Sequence, residues 1–188
     1  GFGKTRIVLE HALEAMRSGK TDRIIYLTGK TSGQEQACAE LNSLCPDGRG
    51  LRSYRMRNHA EHWNLCPLDG CLRDQCASPA DQTHPVSVPR LIHESGHADA
   101  AWRGVREIAD TDHQCPYALS KGMLSLSDVW VADYNYLFAP GSRHLFFDQP
   151  AFDPHRTWLL IDEAHNLVDR GRAHLQIGIQ QAGATDNL

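Results

Sequence analysis

Apolar positions along the chain follow two alternating periods. TRIVLEHALEAMRSG places Ile7, Val8, Leu9, Ala12, Leu13 and Met16 on a broad stripe of helical period, which Gly19 is expected to end. RIIYLT (23–28) is a β-branched run suited to a buried parallel strand. In the following SGQEQACAELNSL, Ser32 and Glu35 match a capping box, and Ala37, Leu41 and Leu44 share one face. LRSYRM (51–56) reads as a further strand, and VWVAD (129–133) and TWLLID (157–162) as two more, both apolar along their length. This alternation predicts an α/β sheet with helices on both faces. The chain carries no internal repeat and no low-complexity tract.

Composition narrows the picture. The 188 residues suffice for one sizeable core with a small insertion, and 41% hydrophobic with 22% charged content is that of a soluble globular chain. A formal charge of −4 excludes a uniformly basic coat, so any nucleic-acid contact has to be local. The longest apolar runs, VWVA and WLLI, are too short to cross a bilayer, and no basic-then-apolar leader is visible. A cytoplasmic location is expected. Six cysteines without a secretory signal point to a reducing compartment, where metal ligation is favoured over disulfides.

Two motifs carry candidate chemistry. The chain opens GFGKT, and Gly3-Lys4-Thr5 fits the last three positions of a phosphate loop, G-x-x-x-x-G-K-[ST]. A glycine-rich turn feeding a helix aims backbone N–H groups and a positive dipole end at phosphate. In that reading Lys4 reaches the β/γ-phosphates of ATP and the Thr5 hydroxyl binds Mg²⁺. At the other end, TWLLID runs into Asp162-Glu163-Ala164-His165. Asp162 is suited to hold Mg²⁺ through water, Glu163 to orient and deprotonate the attacking water, and His165 to sense the γ-phosphate or relay to a neighbouring domain. Either motif alone also reads as an ordinary helix start; together they favour an ATPase.

CPLDGCLRDQC raises a separate question, with Cys66, Cys71 and Cys76 five apart. Such cysteines lie about 140° apart on a helix and cannot converge there, so a loop is expected, with Pro67 and Asp69-Gly70 as turn residues. C-x₂-C zinc knuckles are absent. Spacing leaves an iron–sulfur centre, a zinc site and an inert reduced set all open. HESGH (93–97) fits the zinc-protease pattern, with His93 and His97 as ligands and Glu94 as base. Pro79, Pro85 and Pro89 precede it, Gly96 weakens a helix there, and the extended motif's third histidine is missing. The segment is expected instead to lead into the helix ADAAWRGVREIA.

GFGKT, IYLTGKTSGQ, CPLDGC, CPYALS, VADYNYLF and LLIDEAHNLVDR, in that order, resemble the XPD/DinG-type superfamily 2 DNA helicases across essentially the whole chain. The resemblance implies a RecA-like P-loop parallel sheet forming an incomplete first motor domain from residues 1–57 and 118–188. A small, mainly helical insertion, 58–117, would hold a 4Fe–4S cluster on Cys66, Cys71, Cys76 and Cys115 and act as a strand-separating wedge. Cys38 and Cys45 read as packing residues. Gly1, Gly3, Lys4, Thr5 and Asp162 would bind ATP and Mg²⁺, with Glu163, Asp162, Lys4 and His165 catalytic. The implied activity is ATP-driven 5′→3′ translocation on single-stranded DNA and unwinding of forked duplex, in repair or replication, in a bacterial cytosol or nucleoid. Thr28, Lys30, Thr31 and Gln34 match a segment that contacts the DNA backbone, and Tyr134, Asn135 and Tyr136 are placed to stack on bases or pack in the core. Arg49, Arg52, Arg55 and Arg57 form either a phosphate track or a solvated strand edge. The arginine usual before the first cluster cysteine is absent, leaving His62 or Arg57 to substitute. A second motor domain is expected outside this chain, and residues 1–188 alone are expected to turn over little ATP. The rival readings are a non-catalytic iron–sulfur or zinc module and, more remotely, a zinc protease.

Overall fold

The computed structural model describes residues 3–46, 50–58, 61–62, 66, 98–150 and 152–169, with only the backbone of 98–100. Four parallel strands, β1 (Arg23–Leu27), β2 (Ser53–Arg55), β3 (Val129–Ala132) and β4 (Thr157–Ile161), form one sheet in the order β2-β3-β1-β4. In register, Ile24 faces Val129 on one side and Trp158 on the other, and Leu27 faces Ala132 and Ile161. The helices are α1 (Lys4–Arg17), α2 (Thr31–Leu44), α3 (Ala98–Thr111), α4 (Pro116–Ser125) and the single turns α5 (Asn135–Phe138) and α6 (His144–Phe147).

The strands' two-residue period divides the core into two layers. Ile24, Tyr26, Val129 and Val131 pack with Leu9, Ala12 and Leu13 of α1 and Ala37, Cys38 and Leu41 of α2. Ile25, Leu27, Tyr54, Trp130 and Ala132 pack on the opposite face with Val105 and Ile108 of α3 and Leu119, Met123 and Leu124 of α4. Helices therefore cover both faces, as the alternation predicts. The α3 helix, which falls within the segment 58–117 expected as the insertion, packs in the main core through Ala101, Val105, Ile108 and Ala109. Its spacing of four, three and one buries a single stripe against the sheet.

Local signals meet mixed outcomes. Gly19 ends α1 in the left-handed region (φ 72°), with its N–H donating to the Met16 carbonyl and Lys20 N–H to that of Ala15, a Schellman motif. The α1 stripe is rotated from the expected one: Leu9, Ala12, Leu13 and Ala15 are buried, whereas Ile7 and Val8 are exposed. The Ser32–Glu35 capping box does not form, because α2 begins at Thr31 with Lys30 at the cap position and no side-chain cap. β4 is only half-buried, with Leu159 exposed, since it pairs with β1 on one side and stands at the edge of the described sheet. Its start is pinned to the α1–β1 turn. Buried Thr21 donates to the Arg156 carbonyl at 2.7 Å, and the Arg156 guanidinium reaches both Asp22 oxygens at 2.9 and 2.6 Å.

Candidate functional site

All four strands run in parallel, so the segments after β1, β3 and β4 emerge at one end of the sheet, where α/β folds bind ligands. Gly3 caps α1 in the left-handed region (φ 69°), a conformation glycine adopts without steric cost, and its carbonyl accepts the Ile7 N–H at 3.0 Å. Lys4 and Thr5 form the first positions of α1, with Lys4 exposed and Thr5 half-buried. Gly1 lies outside the described residues. Asp162 follows β4 directly, its N–H donating to the Leu27 carbonyl at 2.9 Å. Tyr26, buried on β1, stands between these two ends. Burial pushes its hydroxyl up to about 12; hydrogen bonding with Thr5 opposes that rise, and the charge and hydrogen bonding of Asp162 add to it. Thr5 and Asp162, far apart in sequence, thus share a neighbour. Sequence reasoning missed Tyr26, whose signal was a polar-tipped aromatic in an otherwise aliphatic run.

The DEAH segment forms a turn. Glu163 adopts φ 50°, unusual for a side chain with a Cβ, and both its carboxylate and His165 are exposed, 3.5 Å apart. Asp162 and Glu163 line a cleft of about 530 Å³ with Thr28, Lys30, Gly33 and Gln36. A second cleft, of about 360 Å³, is lined by Thr31, Gln34, Asn58, Glu61, Asn135 and Tyr136. The first turn of α2 divides the two, so the seven candidate DNA residues do not form one surface. Thr28 and Lys30 face the DEAH turn, while Thr31, Gln34, Asn135 and Tyr136 share the second cleft.

Tyr134 lies in neither. It is 1% exposed, and its hydroxyl donates to the carbonyls of Asp162 and Glu163, the latter at 3.2 Å. That burial removes it from base stacking and makes it a brace beneath the acidic turn. Tyr136 is half-buried, with its hydroxyl on the Arg57 carbonyl at 2.7 Å.

The arginines resolve differently from either expected reading. Arg55 is buried and pairs with Glu35 at 3.3 Å and Glu61 at 3.6 Å. Arg57 pairs with Glu61 at 3.3 Å and lies 4.5 Å over the Trp102 ring. Both are therefore engaged inside the protein, leaving Arg52 exposed and Arg49 outside the described residues. His62 is buried too, its ring edge-on to Trp102 and Tyr117.

Of the four cysteines expected to hold a cluster, Cys66 and Cys115 lie within the described residues; Cys71 and Cys76 lie outside, as do His93, Glu94 and His97. Cys115 is a buried free thiol at the cap position of α4, held by Pro116 at the first helical position and by the Leu119 N–H on its carbonyl at 3.1 Å. Cys66 is half-buried. A cysteine fixed at a helix start and a second, half-buried one fit the donor chemistry of a thiolate-ligated metal centre. Among the described residues no group of three or more His, Cys, Asp or Glu is assembled to hold a metal, and no helix is long and apolar enough to cross a membrane.

Residues 34–183 match the family model described as DEAD_2. The fold is similar to a solved structure titled "XPD_Helicase", with TM-score 0.57 and 18% identity over 88% of this chain and 28% of that one. It is also similar to "Truncated XPD", with TM-score 0.53 and 17% identity over 89% of this chain and 46% of that one. The chain thus spans less than half the length of the solved structures it matches.

Proposed function

Because this chain belongs to the DEAD_2 family, the N-terminal region of XPD-like helicases, we propose that it supplies one face of the ATP site and part of the DNA path of a DNA helicase. The observation that carries this reading is the meeting of Thr5, Tyr26 and Asp162 at the ligand-binding end of the sheet. Gly3 and the first turn of α1 would cradle phosphate, with Lys4 adding a compact positive charge. Thr5 and Asp162 would hold Mg²⁺, which when bound neutralises charge on the phosphates. Glu163, exposed on the adjoining turn, is the base that would orient and deprotonate water, and His165, 3.5 Å from its carboxylate, would sense the γ-phosphate or relay to a neighbouring domain. Thr31, Gln34, Asn135 and Tyr136 would follow the single strand in the second cleft.

The segment between Cys66 and Cys115 would form the iron–sulfur insertion, with Cys66, Cys71, Cys76 and Cys115 as ligands. The insertion would span 58–117, with α3 seating it against the main core. Completion of the ATP site would need the second motor domain, so the isolated chain would hydrolyse little ATP.

The test is ATP hydrolysis and forked-duplex unwinding by the complete protein. Lys4→Ala and Glu163→Gln should each lower turnover by about 10²-fold or more while single-stranded DNA binding persists. Unwinding unaffected by both substitutions would overturn the reading. Iron and sulfide analysis of the same protein, with Cys115→Ser, separately tests the cluster. One zinc and no iron would remove the cluster and leave the ATPase in place.

A further inference from the structure

The two clefts share a wall and a strut. The wall is the N-terminal end of α2, which presents Ser32, Gly33 and Gln36 to the DEAH side and Thr31 and Gln34 to the other. The strut is Tyr134. Its immediate neighbours Asp133 and Asn135 both line the second cleft, whereas its own side chain crosses the core to the acidic turn. The segment is stiff: Asn135 N–H donates to Asp133 Oδ1 at 2.9 Å, and the Leu137 and Phe138 N–H groups both donate to the Tyr134 carbonyl, at 3.1 and 3.0 Å. A displacement of Asp133 or Asn135 must therefore carry Tyr134 with it.

At the far end, the Tyr134 hydroxyl bonds the two carbonyls that flank Glu163, its own and that of Asp162, and Glu163 itself is held at φ 50°. A non-glycine residue persists in that region only where its surroundings impose it. On the other side the same turn is tied to β1 through Asp162 N–H and Leu27. The aim of the Glu163 carboxylate is thus set by two anchors, and one of them is rooted in the second cleft.

We propose that Tyr134 is a positioning residue that transmits occupancy of the Asn135/Tyr136 cleft by single-stranded DNA to the Asp162–Glu163 turn, and so makes ATP hydrolysis depend on DNA. This rests on the ATPase reading above. The Tyr134 ring serves the core, and its hydroxyl serves the coupling. Tyr134→Phe separates the two. Tyr54→Phe is the control, because it also removes a buried hydroxyl from the same core but one bonded to Ser120, away from the turn.

The experiment measures ATP hydrolysis by the complete protein with and without saturating oligothymidylate, together with oligothymidylate affinity and thermal unfolding. Tyr134→Phe should reduce the stimulated-to-basal ratio by about tenfold, with DNA affinity changed by less than about twofold, while Tyr54→Phe keeps the wild-type ratio. An unchanged ratio in Tyr134→Phe, an equal loss in Tyr54→Phe, or a loss that merely tracks unfolding would overturn the proposal. A wild type that hydrolyses ATP without DNA stimulation would overturn it while sparing the ATPase reading. A wild type with no hydrolysis under either condition would overturn both.

Discussion

The Tyr54 hydroxyl donates to Ser120 Oγ at 2.6 Å, joining β2 to α4 inside the core. Ser120 Oγ lies 2.8 Å from His62 Nε2, and His62 Nδ1 lies 2.8 Å from the Asn58 carbonyl. A carbonyl only accepts, so Nδ1 carries a proton; in the neutral ring Nε2 then accepts from Ser120, which accepts from Tyr54. The three bonds run in one direction and connect the sheet to the residues that lead to Cys66.

Ser120→Ala removes the central member and leaves a buried phenol and a buried imidazole nitrogen each short of a partner. The expected loss is about 2–4 kcal/mol in urea unfolding, from two groups at about 1–2 kcal/mol each. In a cycle with Tyr54→Phe the losses should be strongly non-additive, because Phe leaves no hydroxyl to satisfy. Additive losses would mean that the two groups act independently.

Trp130 is fully buried, with its indole N–H donating to the Leu124 carbonyl at 2.7 Å and its ring 4.9 Å from Phe146 and 5.9 Å from Phe152. It fills the centre of the α3/α4 layer. Trp130→Ala should cost about 3–5 kcal/mol, read as a lower urea midpoint. Trp130→Phe should retain most of the packing.

Gly33 sits where α2 crosses Thr28. A Cβ added there would lie 2.6 Å from Thr28 Oγ1 and 3.2 Å from its Cγ2. Because Thr28 is buried, it has little room to yield. Gly33→Ala should therefore destabilise by about 1–3 kcal/mol, and adding Thr28→Ala should restore part of that. Thermal unfolding of the three variants decides it.

All five tyrosines are at least half-buried, and burial raises the hydroxyls of Tyr26, Tyr54, Tyr117 and Tyr136, with Tyr26 reaching about 12. Above pH 10 the unfolded chain releases phenol protons that the folded chain retains, so stability should fall as pH rises from there and continue falling to about 12 for Tyr26. Absorbance at 295 nm should show little ionisation until the fold is lost. A smooth titration centred near pH 10 in the native protein would contradict this burial.

Much of this protein was legible in the linear pattern because strand burial and helix amphipathicity are local periodicities. The strands at 23–28, 129–133 and 157–162, the end of α1 at Gly19, and the acidic residues closing the last strand all follow from it. Edge position was not legible. TWLLI carries the apolar run of a central strand, yet β4 is half-exposed, because burial depends on neighbours supplied from elsewhere. The division of Thr28 and Lys30 from Thr31 and Gln34 was likewise hidden, since each cleft is completed by residues distant in the chain, Asp162 and Glu163 in one and Asn135 and Tyr136 in the other. Long-range polar partners were hidden for the same reason: Glu35 and Glu61 claim Arg55, Asp162 and Glu163 claim the Tyr134 hydroxyl, and Thr5 and Asp162 flank Tyr26. The sequence by itself determined which segments become strands and helices and which residues have the chemistry for phosphate. Tertiary packing alone decided which polar groups face a cleft and which brace the core, because that choice is made by residues distant in the chain.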